Sequence, residues 1–245
     1  MAEPGASKGM IYAGTSGWAY PTWKPEFYPE KLAQKDFLRY YASQLNAVEV
    51  NYTFRHMLSE KTVSKWLAET PPEFRFVIKA HQTITHIKRL KGAEESLRRF
   101  IASVSLLESS ARLGPVLFQL PPNLKADAGV LRDFLTLVPK ALRCSFEFRH
   151  VSWFTPEIYD ILAERNCALC VAEDDDLATP DVTTANFAYY RLRKTAYSPE
   201  ERTKIRDRVH ELAASHEVFA FFKHEDTPEG ALHARELLAA EARKA

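Results

Sequence analysis

Eight short runs of strand-forming residues, most of them separated by stretches with helical periodicity, restrict the fold more than any other feature of this sequence. The runs are IYAGTS (11–16), AVEVN (47–51), RFVIKAH (75–81), PVLFQLP (115–121), RCSFEFRH (143–150), ALCVAED (168–174), FAYYRLR (187–193) and EVFAFFKH (217–224). Parallel strands need crossovers long enough to hold a helix, so strands alternating with helical patterns read as βαβ units. Eight of them predict an α/β fold, a (β/α)8 TIM-like barrel. Nearly every run ends in a polar or charged residue. In such barrels the C-terminal strand ends and the loops after them carry the active site, which places the chemistry there.

The connecting stretches support this count with one exception. Lys31–Asn46 puts Leu32, Phe37, Tyr41 and Leu45 on one face, and Ser59–Glu69 does the same with Val63, Trp66 and Leu67. Helices are expected over Ala93–Leu113, Ala128–Val138 and Pro156–Glu164, the last opened by Thr155 and Pro156. Ser198, Pro199 and Glu201 form a capping-box opening for Ser198–Ser215, and a final helix runs from Pro228 to Ala242. Between strands six and seven only DDLATPDVTTAN is available, so the barrel is expected to be irregular there. No repeat or linker marks a second domain: residues 1–9 read as a flexible tail and 10–245 as a single barrel domain.

Charge excludes some partners. With 33 basic and 32 acidic side chains the formal net charge is +1, so no global field draws the chain to nucleic acid or an anionic membrane. Recognition by charge must be local. No stretch is long and apolar enough to span a bilayer, and the first residues lack the apolar run of a signal peptide, so a cytoplasmic protein is expected. Cys144, Cys167 and Cys170 sit in apolar strand contexts and read as reduced core thiols; a lone C-x-x-C without a second pair reads as strand packing.

Side-chain alternation separates the lumen from the wall. Glu49 and Asn51 share a face with Ala47, while Val48 and Val50 turn to the helices. By the same parity Lys79 and His81 follow Val77 inward, Gln119 follows Leu117, and Glu147 and Arg149 follow Ser145. Asp174 shares a face with Cys170 and Ala172, Arg191 with Tyr189, and Lys223 ends the eighth strand. The catalytic candidates are therefore Glu147, Glu49, Asp174 and Lys79. The substrate-binding candidates are Arg149, Arg191, Lys223, Gln119, His81 and Asn51, with Trp18 and Trp153 from the aromatic loops. A competing account makes the charged rim a buried ion network at the top of the core, since unpaired ions are costly there. For the loop aromatics the competing account is packing over the barrel end.

At these residues the sequence resembles a known family. GTSGWAYPTW (14–23), FYP (27–29), VEVNYTF (48–54), FVIKAHQTITH (76–86), LGPVLFQLPP (113–122), FEFRHVSW (146–153), YYRLR (189–193) and FFKHED (221–226) are similar to the YecE-like family, also called domain of unknown function 72, over residues 10–240. The resemblance implies a TIM-barrel-like fold and supplies no activity. Where many relatives carry Arg-Leu-His-Gly after the seventh strand, this chain has Arg191, Leu192, Arg193 and Lys194. Where they often carry paired Asn after the eighth, it has Lys223 and His224.

A retaining glycosidase needs two carboxyl groups about 5–5.5 Å apart. Such barrels place them after strands four and seven, where this chain has Gln119 and Arg191, leaving Glu49 or Asp174 to partner Glu147. Only His81, His150 and His224 lie near strand ends, too few for a zinc hydrolase, and no metal site is assigned. A Schiff-base lysine would be Lys79 or Lys223. The leading expectation is an enzyme, a hydrolase or lyase of unknown cofactor, acting on a small or nucleotide-sized anion such as a phosphate ester or sugar acid. Arg149, Arg191 and Lys223 would clamp it, and Glu147, oriented by Glu49 or Asp174, would move a proton. The alternatives are a non-catalytic anion-binding or regulatory barrel and a nuclease-like barrel whose loop aromatics stack bases.

Overall fold

A computed structural model describes residues 9–173, 177–223 and 226–242. Among them one parallel sheet is built from β1 (Ile11–Thr15), β2 (Ala47–Val50), β3 (Arg75–Lys79), β4 (Leu113–Gln119), β5 (Cys144–Glu147), β6 (Ala168–Glu173), β7 (Phe187–Leu192) and β8 (Glu217–Phe222). The strand order β1-β8-β7-β6-β5-β4-β3-β2 winds the sheet into a nearly closed α/β barrel. Its helices are α1 (Phe37–Gln44), α2 (Glu60–Glu69), α3 (Glu94–Ser109), α4 (Ala128–Leu137), α5 (Pro156–Glu164), α6 (Pro199–Leu212) and α7 (Glu229–Ala242).

The local signals explain the starts of several elements. Ser59 Oγ accepts from Thr62 N at the head of α2, Asp127 Oδ1 from Val130 N at α4, and Ser198 with Glu201 closes a full capping box at α6. α1 is shorter than its periodicity suggests. The segment before it is held by a Leu32 N to Pro29 O turn and an extended Ala33, and a turn of 3-10 helix (Gln34–Asp36) leads into Phe37. Leu32 still packs on the core, which is why the apolar spacing continued upstream. No helix links β6 to β7 among the described residues; the chain folds back through a Glu173–Ala178 bridge.

Parity divides the interior as expected. Tyr12, Ala47, Val77, Leu117, Cys170, Tyr189, Phe219 and Phe221 fill the lumen, while Val48, Val50, Phe76, Phe118, Phe146 and Leu169 pack outward under the helices. All three cysteines are buried and unbridged. One flank of the barrel is closed differently. Between β1 and β2 the only strand bridge pairs Ser16 with Glu49, and side chains do the rest. Asn46 Oδ1 accepts from Ala13 N at 2.9 Å while its Nδ2 donates to Ile11 O at 2.7 Å. The Tyr41 hydroxyl accepts from Thr15 N at 2.8 Å and donates to Ala47 O at 3.0 Å. Gly14 permits this approach: a Cβ there would lie 1.9 Å from Ala47 O.

Candidate functional site

At the C-terminal end of the lumen, β2, β5 and β7 deliver Glu49, Glu147 and Arg191 into mutual contact, all three buried. The guanidinium bridges both carboxylates. Arg191 Nε donates to Glu49 Oε2 at 2.9 Å and Nη2 to Glu49 Oε1 at 2.7 Å, a bidentate pair, while Nη1 donates to Glu147 Oε2. Further donors hold both carboxylates. Ser16 Oγ and the Tyr189 hydroxyl donate to Glu49, each at 2.7 Å. Gln119 Nε2 donates to Glu147 Oε1 at 2.7 Å, and Arg193 Nη1 reaches the same oxygen at 3.3 Å. Arg149 Nε stands 3.9 Å from it.

These contacts set the charge states. Burial pushes the Glu147 carboxyl up, but the Arg191 and Arg193 charges and the hydrogen bonds from Gln119 and Arg191 overcome it and hold the group at about 2. Glu49 is likewise held down, against burial, by Arg191 and by Tyr189 and Ser16. Arg191, for which burial acts against the charge, is held protonated by its two carboxylates. Both glutamates are thus permanent anions at neutral pH. Neither supplies the protonated carboxyl that a retaining glycosidase requires, and Glu147 is a weak proton acceptor. Arg191, expected as a ligand clamp, has each of its three nitrogens bonded to a protein carboxylate.

Lys79 behaves differently. Its Nζ lies 4.5 Å from the centre of the Phe54 ring, and among the described residues no carboxylate pairs with it. Burial first, and then the Arg191 charge, pulls its pKa from the usual lysine range to about 8, against the pull of Glu147 and Glu49. A lysine whose folded pKa lies below its unfolded one penalises the fold while charged. That penalty is full below about 8 and fades as pH rises toward about 10.4, the unfolded value. Lys79→Met is therefore expected to stabilise the protein at pH 7 by about 1–2 kcal/mol, after allowance for solvent screening. The gain should vanish near pH 10 in urea melts; a loss of stability at pH 7 would contradict the assignment.

The other candidates divide. His81 Nδ1 accepts from Thr83 N at 3.2 Å, fixing the entry to a π-helical turn (Thr83–Ile87) after β3. Asn51 presents a buried Oδ1 without a partner. Lys223 leaves β8 with its amide bonded to Leu192 O. Trp153, expected at the mouth, is buried in the wall: it stacks on Phe148 at 4.5 Å, and its indole donates to Leu124 O at 2.8 Å. Trp18 packs edge-on against Trp66 of α2 at 5.3 Å. Trp23, Phe27 and Tyr28 are buried in a ring cluster with Phe37, so most of the first loop's aromatics are packing residues. Asp174 and His224 lie outside the described residues. Three contributors were not among the expected site residues: Ser16, Tyr189 and Arg193. Tyr189 and Arg193 share the inward parity of Arg191, and Ser16 immediately follows β1, so all three carried a signal.

A family model described as "Protein of unknown function DUF72" matches residues 12–245. The chain belongs to the DUF72 family. The UPF0759 protein YunF of Bacillus subtilis is 33% identical over 157 residues, covering 62% of this chain and 55% of YunF. YecE of Escherichia coli K12 is 30% identical over 146 residues, 59% of this chain and 50% of YecE. The chain spans about half the length of the curated relatives it matches. A solved DUF72 protein from Thermotoga maritima superposes with a TM-score of 0.84 at 27% identity, over 95% of this chain and 99% of that one. A second, from Enterococcus faecalis, shares the fold at 18% identity with a TM-score of 0.75, over 96% and 98%. In this DUF72 chain the Arg193–Lys194 pair after β7 splits in function. Arg193 turns into the mouth, whereas Lys194 is neutralised outside it by Glu173 at 2.7 Å and Glu201 at 3.0 Å.

Proposed function

We propose that the C-terminal mouth binds a small organic anion and acts on it. Among the described residues two carboxylates, Glu49 and Glu147, meet four cations, Lys79, Arg149, Arg191 and Arg193. The observation that carries the reading is Arg193: its Nε is buried and without a hydrogen-bond partner, although Nη1 rests on Glu147. A buried guanidinium nitrogen left without an acceptor is costly unless a ligand supplies one. Arg149 and Arg193 are the clamp in this reading, Asn51 Oδ1 is available to accept from a ligand donor, and the Glu49–Arg191–Glu147 triad is the fixed frame beneath them. Lys79 is the group able to change protonation near neutral pH. A phosphate ester or a sugar acid carries the charge such a site would hold.

Orthophosphate, or a small hydroxy acid, is expected to raise the melting temperature beyond an equal-ionic-strength NaCl control. Saturation at about one hundred times Kd corresponds to about 2.7 kcal/mol. The Arg149→Ala, Arg193→Ala double variant should lose the shift. An unmoved melting temperature, or an equal shift in the double variant, would remove the clamp. Turnover of a panel of phosphate esters and sugar acids then separates a catalyst from a binding barrel.

A further inference from the structure

Lys79 ends β3, and its carbonyl accepts a 2.7 Å hydrogen bond from Thr53 Oγ1, which ties the strand end to the loop after β2. The same loop supplies Phe54, whose ring lies under Nζ and is itself met edge-on by His86 at 4.8 Å. Two carboxylates occupy the same mouth, yet among the described residues neither pairs with the amine; they are held by Arg191, Tyr189, Ser16 and Gln119. Burial of the amine on the apolar Phe54 side chain and the charges of Arg191 and Arg193 favour its neutral, nucleophilic form, against the pull of the ring face and of the two glutamates on the ammonium. The shift of its pKa to about 8 agrees with that geometry.

We propose that Lys79 is a nucleophile that forms an imine with the carbonyl carbon of a small anionic substrate, a 2-oxo acid or a phosphorylated aldehyde, whose charge rests on Arg149 and Arg193. This rests on the reading of the mouth as an anion site. The neutral amine's lone pair forms the C–N bond while the carbonyl π pair moves to oxygen. That oxygen leaves as water, carrying the two hydrogens lost by the amine, and the C=N bond forms. No oxidant or reductant is consumed. The product is an electron-withdrawing imine on the substrate, next to cations that hold its anionic end.

The test is reductive trapping on the full wild-type chain at pH 7 with cyanoborohydride and each of three aldehydes: glyoxylate, glycolaldehyde phosphate and uncharged glycolaldehyde. Peptide mass mapping gives the rate at every lysine. Lys79 should be alkylated at least about ten-fold faster than any other lysine by the two anionic probes, since its neutral fraction at pH 7 is larger by that order or more. Glycolaldehyde should keep the part of this preference that the neutral fraction supplies and lack the further gain that binding at Arg149 and Arg193 gives the anionic probes, and orthophosphate should slow the Lys79 adducts of the anionic probes alone. Calorimetric titration with orthophosphate separates the two claims. If phosphate binds while Lys79 reacts no faster than surface lysines, the nucleophile is overturned and the anion site stands. If Lys79 reacts fast with all three aldehydes and phosphate neither binds nor protects, the anionic substrate class is overturned; if neither effect appears, both fall. Lys79→Arg keeps the charge and should abolish the fast phase, and a fast phase that persists would overturn the assignment without reliance on any fold-sensitive substitution.

Discussion

Arg191→Met lowers the unfolding free energy by about 3–5 kcal/mol at pH 7, the cost of leaving buried charges without their partner. Two carboxylates would then face each other in the lumen, and with a typical total of about 5–15 kcal/mol the variant would be marginal. The pH dependence distinguishes this cause from simple loss of packing. In the wild-type protein the folded Glu147 sits at about 2, below its unfolded value, so its contribution is present above about 4.3 and is lost as pH falls through about 2. In the variant the same carboxyls gain protons more readily than in the unfolded chain, so acid relieves the defect. Urea melts at pH 7 and pH 4 should show the gap between the proteins narrowing with acid. A gap that stays constant would mean that Arg191 acts through its volume. Replacing Glu49 and Glu147 with Gln in the Arg191→Met background should recover much of the loss, because a neutral set removes the unpaired charge.

Gly14→Ala is expected to destabilise by about 3 kcal/mol or more, since the new methyl would sit 1.9 Å from the Ala47 carbonyl and 2.7 Å from the Tyr41 hydroxyl. Backbone cannot yield as a flexible side chain can, so β1 must move away from β2 and loosen the Tyr41 and Asn46 hydrogen bonds. Gly129→Ala is the internal comparison. There the methyl would meet only Asp127 Oδ1 at 3.5 Å, and the helical position gains from the lost backbone freedom, by up to about 1 kcal/mol. Chemical denaturation of the two variants tests the contrast; equal effects would show that the β1–β2 flank tolerates widening.

The barrel was legible because two periodicities, 2 in the strands and 3.6 between them, alternate along the chain everywhere except between β6 and β7. The same parity put Glu49, Lys79, Gln119, Glu147, Arg149 and Arg191 at one end of the lumen. What it could not carry was partner choice. Glu49, Glu147 and Arg191 come from strands that are not neighbours in the sheet, so their contact depends on the width of the lumen at that height, a quantity no local pattern encodes. Arg193 shares the parity of Tyr189 and Arg191 and does turn inward over Glu147, but β7 ends at Leu192, so alternation alone did not vouch for it one residue beyond the strand. Trp153 shows the converse: beyond β5 no periodicity distinguished a loop aromatic that stacks on Phe148 from one that greets a ligand.

The guanidinium of Arg191 divides labour within the mouth. Because each of its three nitrogens already donates to Glu49 or Glu147, the part of the site that folding depends on has little hydrogen-bonding capacity to spare for a ligand. The residues that retain such capacity, Arg193 and Asn51, lie one residue beyond the ends of β7 and β2. Substitutions there change what the mouth can hold while leaving the triad intact. Ligand preference can therefore drift among chains of this fold at little risk to the barrel, and the stretch following β7 is where that divergence should be sought first.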